Sequence, residues 1–340
     1  MSFDPGIQTK YDSILALAEL PWFELRRGRL ALADRRVGPI LDIHTHLALA
    51  NLPFAGTDLQ AERGAMQHFL PLDGPLDLDR YMNQNFTEDG LDRLKRELVL
   101  GRYRRHNRCV THTVPNLLQE MDDLDIRFSV VLAIDLPVVA HNARRFLAAT
   151  RRQERLICFG SIHPFQLGRT WRLDRQIRRG SRGLKVHPGG QLVAPAHPRA
   201  MKLYRLCGER GLPVFFHCGP VGIELERSAR LSQVDLYEEA VAENPGTTFV
   251  LGHSGALQME QALRIAQRYP NVYLDLACQA ISNIATILDE ADPDRILNGS
   301  DWPLYHQAVG VAKVLLLTEE RPELRRKVLY DNAARLLSLV

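Results

Sequence analysis

Hydrophobic positions in this chain fall into short runs, and the runs recur. Eight can be read: GPILDIHTH (38–46), SVVLAIDLP (129–137), LICFGSIHP (156–164), RGLKVHP (182–188), LPVFFHCG (212–219), TTFVLGHSG (247–255), NVYLDLAC (271–278) and RILNGSDWP (295–303). Most close on Gly, Pro or polar residues, and segments of helix length follow them. Most runs are continuously apolar rather than alternating, as expected of parallel strands covered on the outside by helices. Eight strand–helix units in succession predict an α/β fold, a single (β/α)8 TIM barrel over residues 1–340, with a doubly wound sheet as the alternative.

Helix candidates fill the intervals. One starts at Ser232 in SQVDLYEEAVAEN, with a capping-type serine and an acidic residue three places on; others run Leu257–Tyr269, Ile281–Glu290 and Glu323–Leu337. Residues 8–35 read as helical, with Leu15, Leu17, Leu20 and Leu25 interrupted by Pro21. The interval 47–127 is too long for a loop. It holds helical patches at Thr87–Tyr103 and Pro115–Leu124 and reads as a mostly helical insertion after the first strand. In a barrel that position is the C-terminal rim, where active sites lie.

Composition narrows the class without changing this picture. The chain has 340 residues, 45% apolar and 24% charged, the balance of a globular protein. No apolar run approaches the ~18 residues of a membrane helix. Met1–Lys10 lacks a basic-then-apolar leader, so a cytoplasmic location is expected. Five cysteines stand far apart with no CxxC pair, which argues against a disulfide framework and against a thiolate zinc site. A net charge of +3 gives no reason to expect nucleic acid. Two basic stretches, Arg102–Arg108 and Arg169–Arg182, read as solvated faces, with contact to an anionic substrate or a neighbouring subunit as the alternative. The expected partner is a small molecule, and a homodimer is the assembly to consider.

The polar residues within the runs are not scattered. They sit at the C-terminal ends of the strands. His44 and His46 are two apart and share one strand face. His217 ends the fifth strand, His253 the sixth and Asp301 the eighth, while Lys185 and His187, again two apart, end the fourth. Buried imidazoles and carboxylates cost stability unless they are paired or bound to a metal. A divalent ion, zinc first and manganese or iron(II) as alternatives, suits this donor set with a position left for water. Such an ion lowers the pKa of water and polarises a carbonyl. Asp275 in the seventh strand and His163 in the third read as structural, Trp302 as rim packing, Cys218 as facing away from His217, and His106 and His112 as surface residues. There is no GxSxG elbow, P-loop or GxGxxG.

The runs LDIHTH, VFFHCG, VLGHSG and ILNGSDWP, with the C-terminal YDNAARLL around Asn332, resemble the amidohydrolase superfamily, in its amidohydrolase-related branch of hydrolases, lactonases and decarboxylases. The resemblance covers about residues 38–340 and skips the insertion. It implies a metal held by His44, His46, His217 and Asp301, one ion rather than two, with His253 orienting or polarising substrate. Some members hold two metals bridged by a carbamylated lysine on the fourth strand, where Lys185 stands; the plainer reading is an unmodified lysine facing an anionic substrate group. His187 then contacts substrate or a second ion, or orders the loop at Pro188. The leading activity is hydrolysis of an ester, lactone or amide, with Asp301 transferring protons and with His253 and Lys185 as further catalytic or substrate-binding groups. Decarboxylation of an aromatic or muconate-like acid is the second reading, and a barrel that binds without catalysis is the third.

Overall fold

The computed structural model describes residue 4 and residues 6–50, 57–100, 107–136 and 141–339, with the side chains of 99 and 100 left aside. Part of the basic stretch Arg102–Arg108, His106 included, lies outside them, as does Pro137 at the end of the second apolar run.

All eight apolar runs overlap a strand: β1 Ile40–Thr45, β2 Ile126–Leu132, β3 Leu156–Gly160, β4 Ser181–Val186, β5 Val214–His217, β6 Phe249–Gly252, β7 Val272–Asp275 and β8 Ile296–Leu297. They form one parallel sheet in sequential order. Its edges are joined by Ile43 N donating to Asn298 O (2.9 Å) and Asp301 N donating to His44 O (2.8 Å), with a bridge between Thr45 and Trp302. The result is a nearly closed barrel of eight parallel strands, as the sequence predicts.

A helix follows each strand: α2 Val114–Asp123, α3 Asn142–Thr150, α4 Arg169–Ile177, α5 Pro198–Gly208, α6 Asp235–Ala242, α7 Met259–Arg268, α8 Ile281–Glu290 and α9 Gln307–Leu317. The helix α1 Glu88–Leu100 is additional and belongs to the long first connection. That connection is stitched to the C-terminal ends of β7 and β8, through Met82 N to Cys278 O (3.0 Å), Phe69 N to Pro303 O (3.2 Å) and Leu70 N to Leu304 O (2.9 Å). Strand β2 begins at Ile126, so the interval 47–127 reaches its first residues and includes α2, which packs on β2.

Leu41, Ile43, Val130, Leu132, Ile157, Phe159, Phe215, Val250 and Leu297 form a core cluster of their own. Residues from six strands can meet in this way only across the barrel axis. Tyr330, Ala333 and Leu337 pack against the same cluster, and Arg182 at the start of β4 donates to Leu337 O (2.8 Å), so the C-terminal segment covers the barrel's N-terminal end. Asn332 Nδ2 fixes this segment to Pro293 O and Ile296 O, both at 2.8 Å.

Two expectations are corrected. Residues 8–35 are not a helix: a 3-10 turn, Ile14–Glu19, leads into an antiparallel hairpin, Phe23–Arg26 with Arg29–Leu32. Arg27 and Gly28 both adopt positive φ (54° and 76°), the geometry of a two-residue hairpin turn. Pro21 follows directly on the end of the 3-10 turn, and the chain turns extended from Phe23. Ser232 does not cap α6, whose N-terminal boundary residue is Val234; the Ser232 hydroxyl donates back to Ser228 O (3.0 Å), and Val234 N finds Gln258 Oε1 (3.0 Å) instead.

Candidate metal centre

Three strand ends leave the extended conformation where the polar residues stand. His253, Cys278 and Asp301 have φ of 57°, 68° and 63°, a left-handed region that non-glycine residues enter at a cost of roughly 1–3 kcal/mol. In β1 the register against β2 slips between Asp42 and Thr45, where Ile43 and His44 oppose Val130 alone, a bulge at the first histidine of the pair. These departures turn side chains of separate strands toward one another.

His44 and His46 meet with their Nε2 atoms 3.2 Å apart. Asp301 Oδ1 lies 3.4 Å from His44 Nε2 and 3.5 Å from His46 Nε2. The far nitrogen of each ring is committed elsewhere: His44 Nδ1 is 2.7 Å from Asp275 Oδ2, and His46 Nδ1 is 2.7 Å from the Leu132 carbonyl. A carbonyl only accepts, so His46 Nδ1 carries the proton and Nε2 is a bare lone pair; Asp275, which also accepts from His253 N (3.0 Å) and Ala277 N (3.1 Å), does the same for His44. Gly299 makes this possible. A Cβ there would stand 2.2 Å from Asp275 Oδ1 and 2.9 Å from His44 Cβ.

Burial, with Lys185 and other imidazoles adding to it, drives His44, His217 and His253 well below their ordinary range and His46 to about 3. All four are therefore neutral near pH 7. With Asp301 ionised, two imidazole lone pairs and a carboxylate oxygen face one another at 3.2–3.5 Å with no donor between them. Lone pairs so placed repel, and a divalent cation is the partner that this donor set fits. His44, His253 and Asp301 offer ligand atoms within 4.8 Å of one another. The ring centroids of His44 and His253 are 4.6 Å apart, and His253 Nδ1 is buried without a partner.

His217 closes another side of the site. Its ring stacks on His187 (3.9 Å) and meets His253 edge-on (4.9 Å). His187 Nδ1 accepts from Gly190 N (3.0 Å), so it orders the loop at Pro188 and keeps Nε2–H for other contacts. Lys185 Nζ lies 4.4 Å from the centre of the Phe215 ring, buried and with no hydrogen-bond partner. Burial lowers the pKa of Lys185 and raises that of Asp301, while the charge of each pulls the other back.

Of the residues read as structural, His163 has both nitrogens engaged, with Gln191 O (2.8 Å) and Phe165 N (3.2 Å). Asp275 does more than bridge strands, because it sets the tautomer of His44. His112 is not a surface residue. It is 1% exposed, lies 3.0 Å from Gln67 O through Nε2, and packs edge-on to Phe69. A second buried group, His68, Glu120 and His306, was not visible in the sequence, where its members lie 52 and 186 residues apart and share no motif.

The profile of the amidohydrolase family matches residues 41–339. The chain belongs to the amidohydrolase family. No curated protein matches its sequence. Among solved structures, this amidohydrolase is similar to an uncharacterised TIM-barrel protein, Bb4693, from Bordetella bronchiseptica (18% identity, 88% of this chain and 99% of that chain, TM-score 0.63). It is also similar to a probable 2-pyrone-4,6-dicarboxylic acid hydrolase from Acinetobacter baumannii with citric acid bound (14%, 88% and 99%, 0.57). A third is 2,6-dihydroxybenzoate decarboxylase from Rhizobium (18%, 68% and 90%, 0.53). At these identities the likeness is one of fold. Family and buried His/Asp groups agree on a barrel of the metal-dependent kind. Among the described residues no helix is long and apolar enough to cross a membrane.

Proposed function

We propose that this amidohydrolase is a metal-dependent hydrolase of an ester, lactone or amide bond in a small molecule bearing a carboxylate. The observation that carries the reading is the convergence of His44 Nε2, His46 Nε2 and Asp301 Oδ1 in the site that also holds the unpartnered Lys185 Nζ. In this reading His44, His46, Asp301 and His217 hold the ion, and His253 can join them or face the substrate. Zinc is favoured by the imidazole-rich donor set. The bound ion supplies Lewis acidity, which polarises a substrate carbonyl and makes water a nucleophile near neutral pH.

The chain's own residues do the rest. Asp301 Oδ1 faces the imidazoles, while Oδ2 has only the Cys278 thiol, at 3.5 Å. Oδ2 is therefore the oxygen that takes the proton from attacking water and passes it to the leaving alkoxide or amine as the scissile bond breaks. Neutral His253, in the tautomer protonated at Nδ1, donates that N–H to the developing oxyanion. Lys185 Nζ binds a substrate carboxylate, the partner it lacks in the folded chain. The names of two structural neighbours, a hydrolase of a pyrone dicarboxylic acid and a decarboxylase of a dihydroxybenzoate, each put a carboxylate on the substrate. A cleft lined by His46, Leu49, Phe69, His112, Pro303 and Leu304 gives the first connection a share of the site wall.

The test is a pair of panels, lactones and phenolic acids, offered to the zinc-loaded protein while acid release and carbon dioxide are followed. Acid release from a lactone, abolished by a chelator and restored by zinc, is expected. Carbon dioxide from a phenolic acid with no lactone turnover contradicts the hydrolase reading and leaves decarboxylation in its place.

A further inference from the structure

His68, Glu120 and His306 come from the first connection, α2 and the turn before α9, and all three are buried. Their ligand atoms lie close enough to suit a cation, but donors already fill both oxygens of the carboxylate, and of the imidazole nitrogens His68 Nδ1 is left without a partner. Glu120 Oε2 accepts from His68 Nε2 (2.7 Å) and Trp302 Nε1 (3.2 Å), and Oε1 accepts from Gln307 N (2.8 Å). The Nδ1 lone pair of His306 is taken by Ala308 N (3.2 Å). A carboxylate whose oxygens both face N–H groups is a hydrogen-bond node.

What the node holds is the loop that presents Asp301. Trp302 is the next residue, fully buried, and Trp302 N donates to Ser300 Oγ (3.0 Å). Gln307 reaches back, its Nε2 donating to Asp42 Oδ2 (2.7 Å), and Asp42 Oδ1 accepts from His44 N (3.0 Å) and Ser300 N (3.1 Å). Asp301, at φ 63°, thus sits between two anchors, Asp42 on the β1 side and Glu120 in the helix layer.

We propose that Glu120 is a positioning residue for the metal centre: through Trp302 Nε1 and Gln307 N it fixes the loop carrying Asp301, and through His68 it ties that loop to the first connection. This rests on the reading of Asp301 as a ligand. Carboxylate orientation must hold within a few tenths of an ångström for a first-row ion, and loss of an orienting partner typically lowers metal affinity by roughly 10–100-fold.

The experiment measures zinc affinity of the full chain by competition with a chromogenic chelator, the visible spectrum of the cobalt-loaded protein, and the melting temperature of the metal-free form. The variants are Asp301→Ala, Glu120→Gln and Trp302→Phe. Gln cannot accept on both sides of its amide, so it loses one branch of the node; Phe keeps an aromatic ring at this buried position but loses Nε1–H with the rest of the indole. Both are expected to weaken zinc by about tenfold and to shift the cobalt band. Zinc affinity within about twofold of wild type in Trp302→Phe, with an unchanged cobalt band, overturns the proposal, whatever happens to the melting temperature. Lowered metal-free stability in Glu120→Gln at unchanged affinity overturns it too, since a purely structural carboxylate behaves that way. Asp301→Ala separates the two layers: unaltered zinc binding there removes the ligand reading itself.

Discussion

The barrel holds two buried clusters built from the same kinds of residue, and they have opposite hydrogen-bond economies. Around His44, His46 and Asp301, acceptors face acceptors, and the donors of the two rings point outward to Asp275 and Leu132. Around Glu120, donors from His68, Trp302 and Gln307 point inward and fill the carboxylate. Residue type and burial do not separate a metal centre from a strut. The direction of the protons does. Unsatisfied lone pairs create a demand for a cation, whereas a saturated carboxylate has none.

Breaking the first cluster from its outer shell has the largest expected effect. Asp275→Asn leaves one acceptor oxygen where Oδ2 serves His44 Nδ1–H and His253 N–H and Oδ1 serves Ala277 N–H, so the amide NH2 must face one of these donors. The His44 proton can then move to Nε2, the atom meant for the ion. Zinc affinity should fall by roughly 10–100-fold, read by chelator competition. An unchanged affinity would mean that Asp275 bridges strands and no more.

Lys185→Met comes next. A hydrogen bond to a charged group contributes about 1.5–3 kcal/mol, so KM for a carboxylate-bearing substrate should rise roughly ten- to a hundredfold, while the same scaffold esterified at that carboxylate is turned over as before. Equal losses on both substrates would assign Lys185 to the chemistry or to the ion instead.

The smallest effect concerns stability and lies outside both clusters. Burial holds His112 at about 3 in the fold, against 6.5 when exposed. The unfolded chain therefore binds a proton that the folded chain refuses, and the stability associated with this residue is intact above pH 6.5 and lost progressively as pH falls toward 3. The slope is about 1.4 kcal/mol per pH unit. His112→Phe should flatten the pH dependence of unfolding of the metal-free protein between pH 6 and 4 by about that amount, as measured by denaturant titration. An identical slope would show that His112 is charged or exposed in the fold.

Much of this architecture was legible in the chain. The strands announce themselves because parallel strands under helices are apolar on both faces, and the histidines at their ends stand out against that background. The placement of His44, His46 and Asp301 within 3.5 Å follows from strand ends meeting at one mouth. What stayed hidden depends on contacts between distant segments. The hairpin at Phe23–Leu32 was masked by leucines at helical spacing, and its turn by the unremarkable pair Arg27–Gly28. Local reading gave Ser232 a capping role because it cannot see that Gln258 supplies the acceptor at the start of α6. His112 looked exposed in a polar stretch, yet it is buried against Phe69, 43 residues earlier in the chain. The ionic node at Glu120 draws on three segments whose local sequences carry no shared pattern.

Anomalous scattering at the zinc edge from crystals of the zinc-loaded protein tests the contrast between the clusters most directly. The account predicts a single strong peak flanked by His44, His46 and Asp301, with none at His68, Glu120 and His306. A peak at the second cluster, or none at the first, would contradict it.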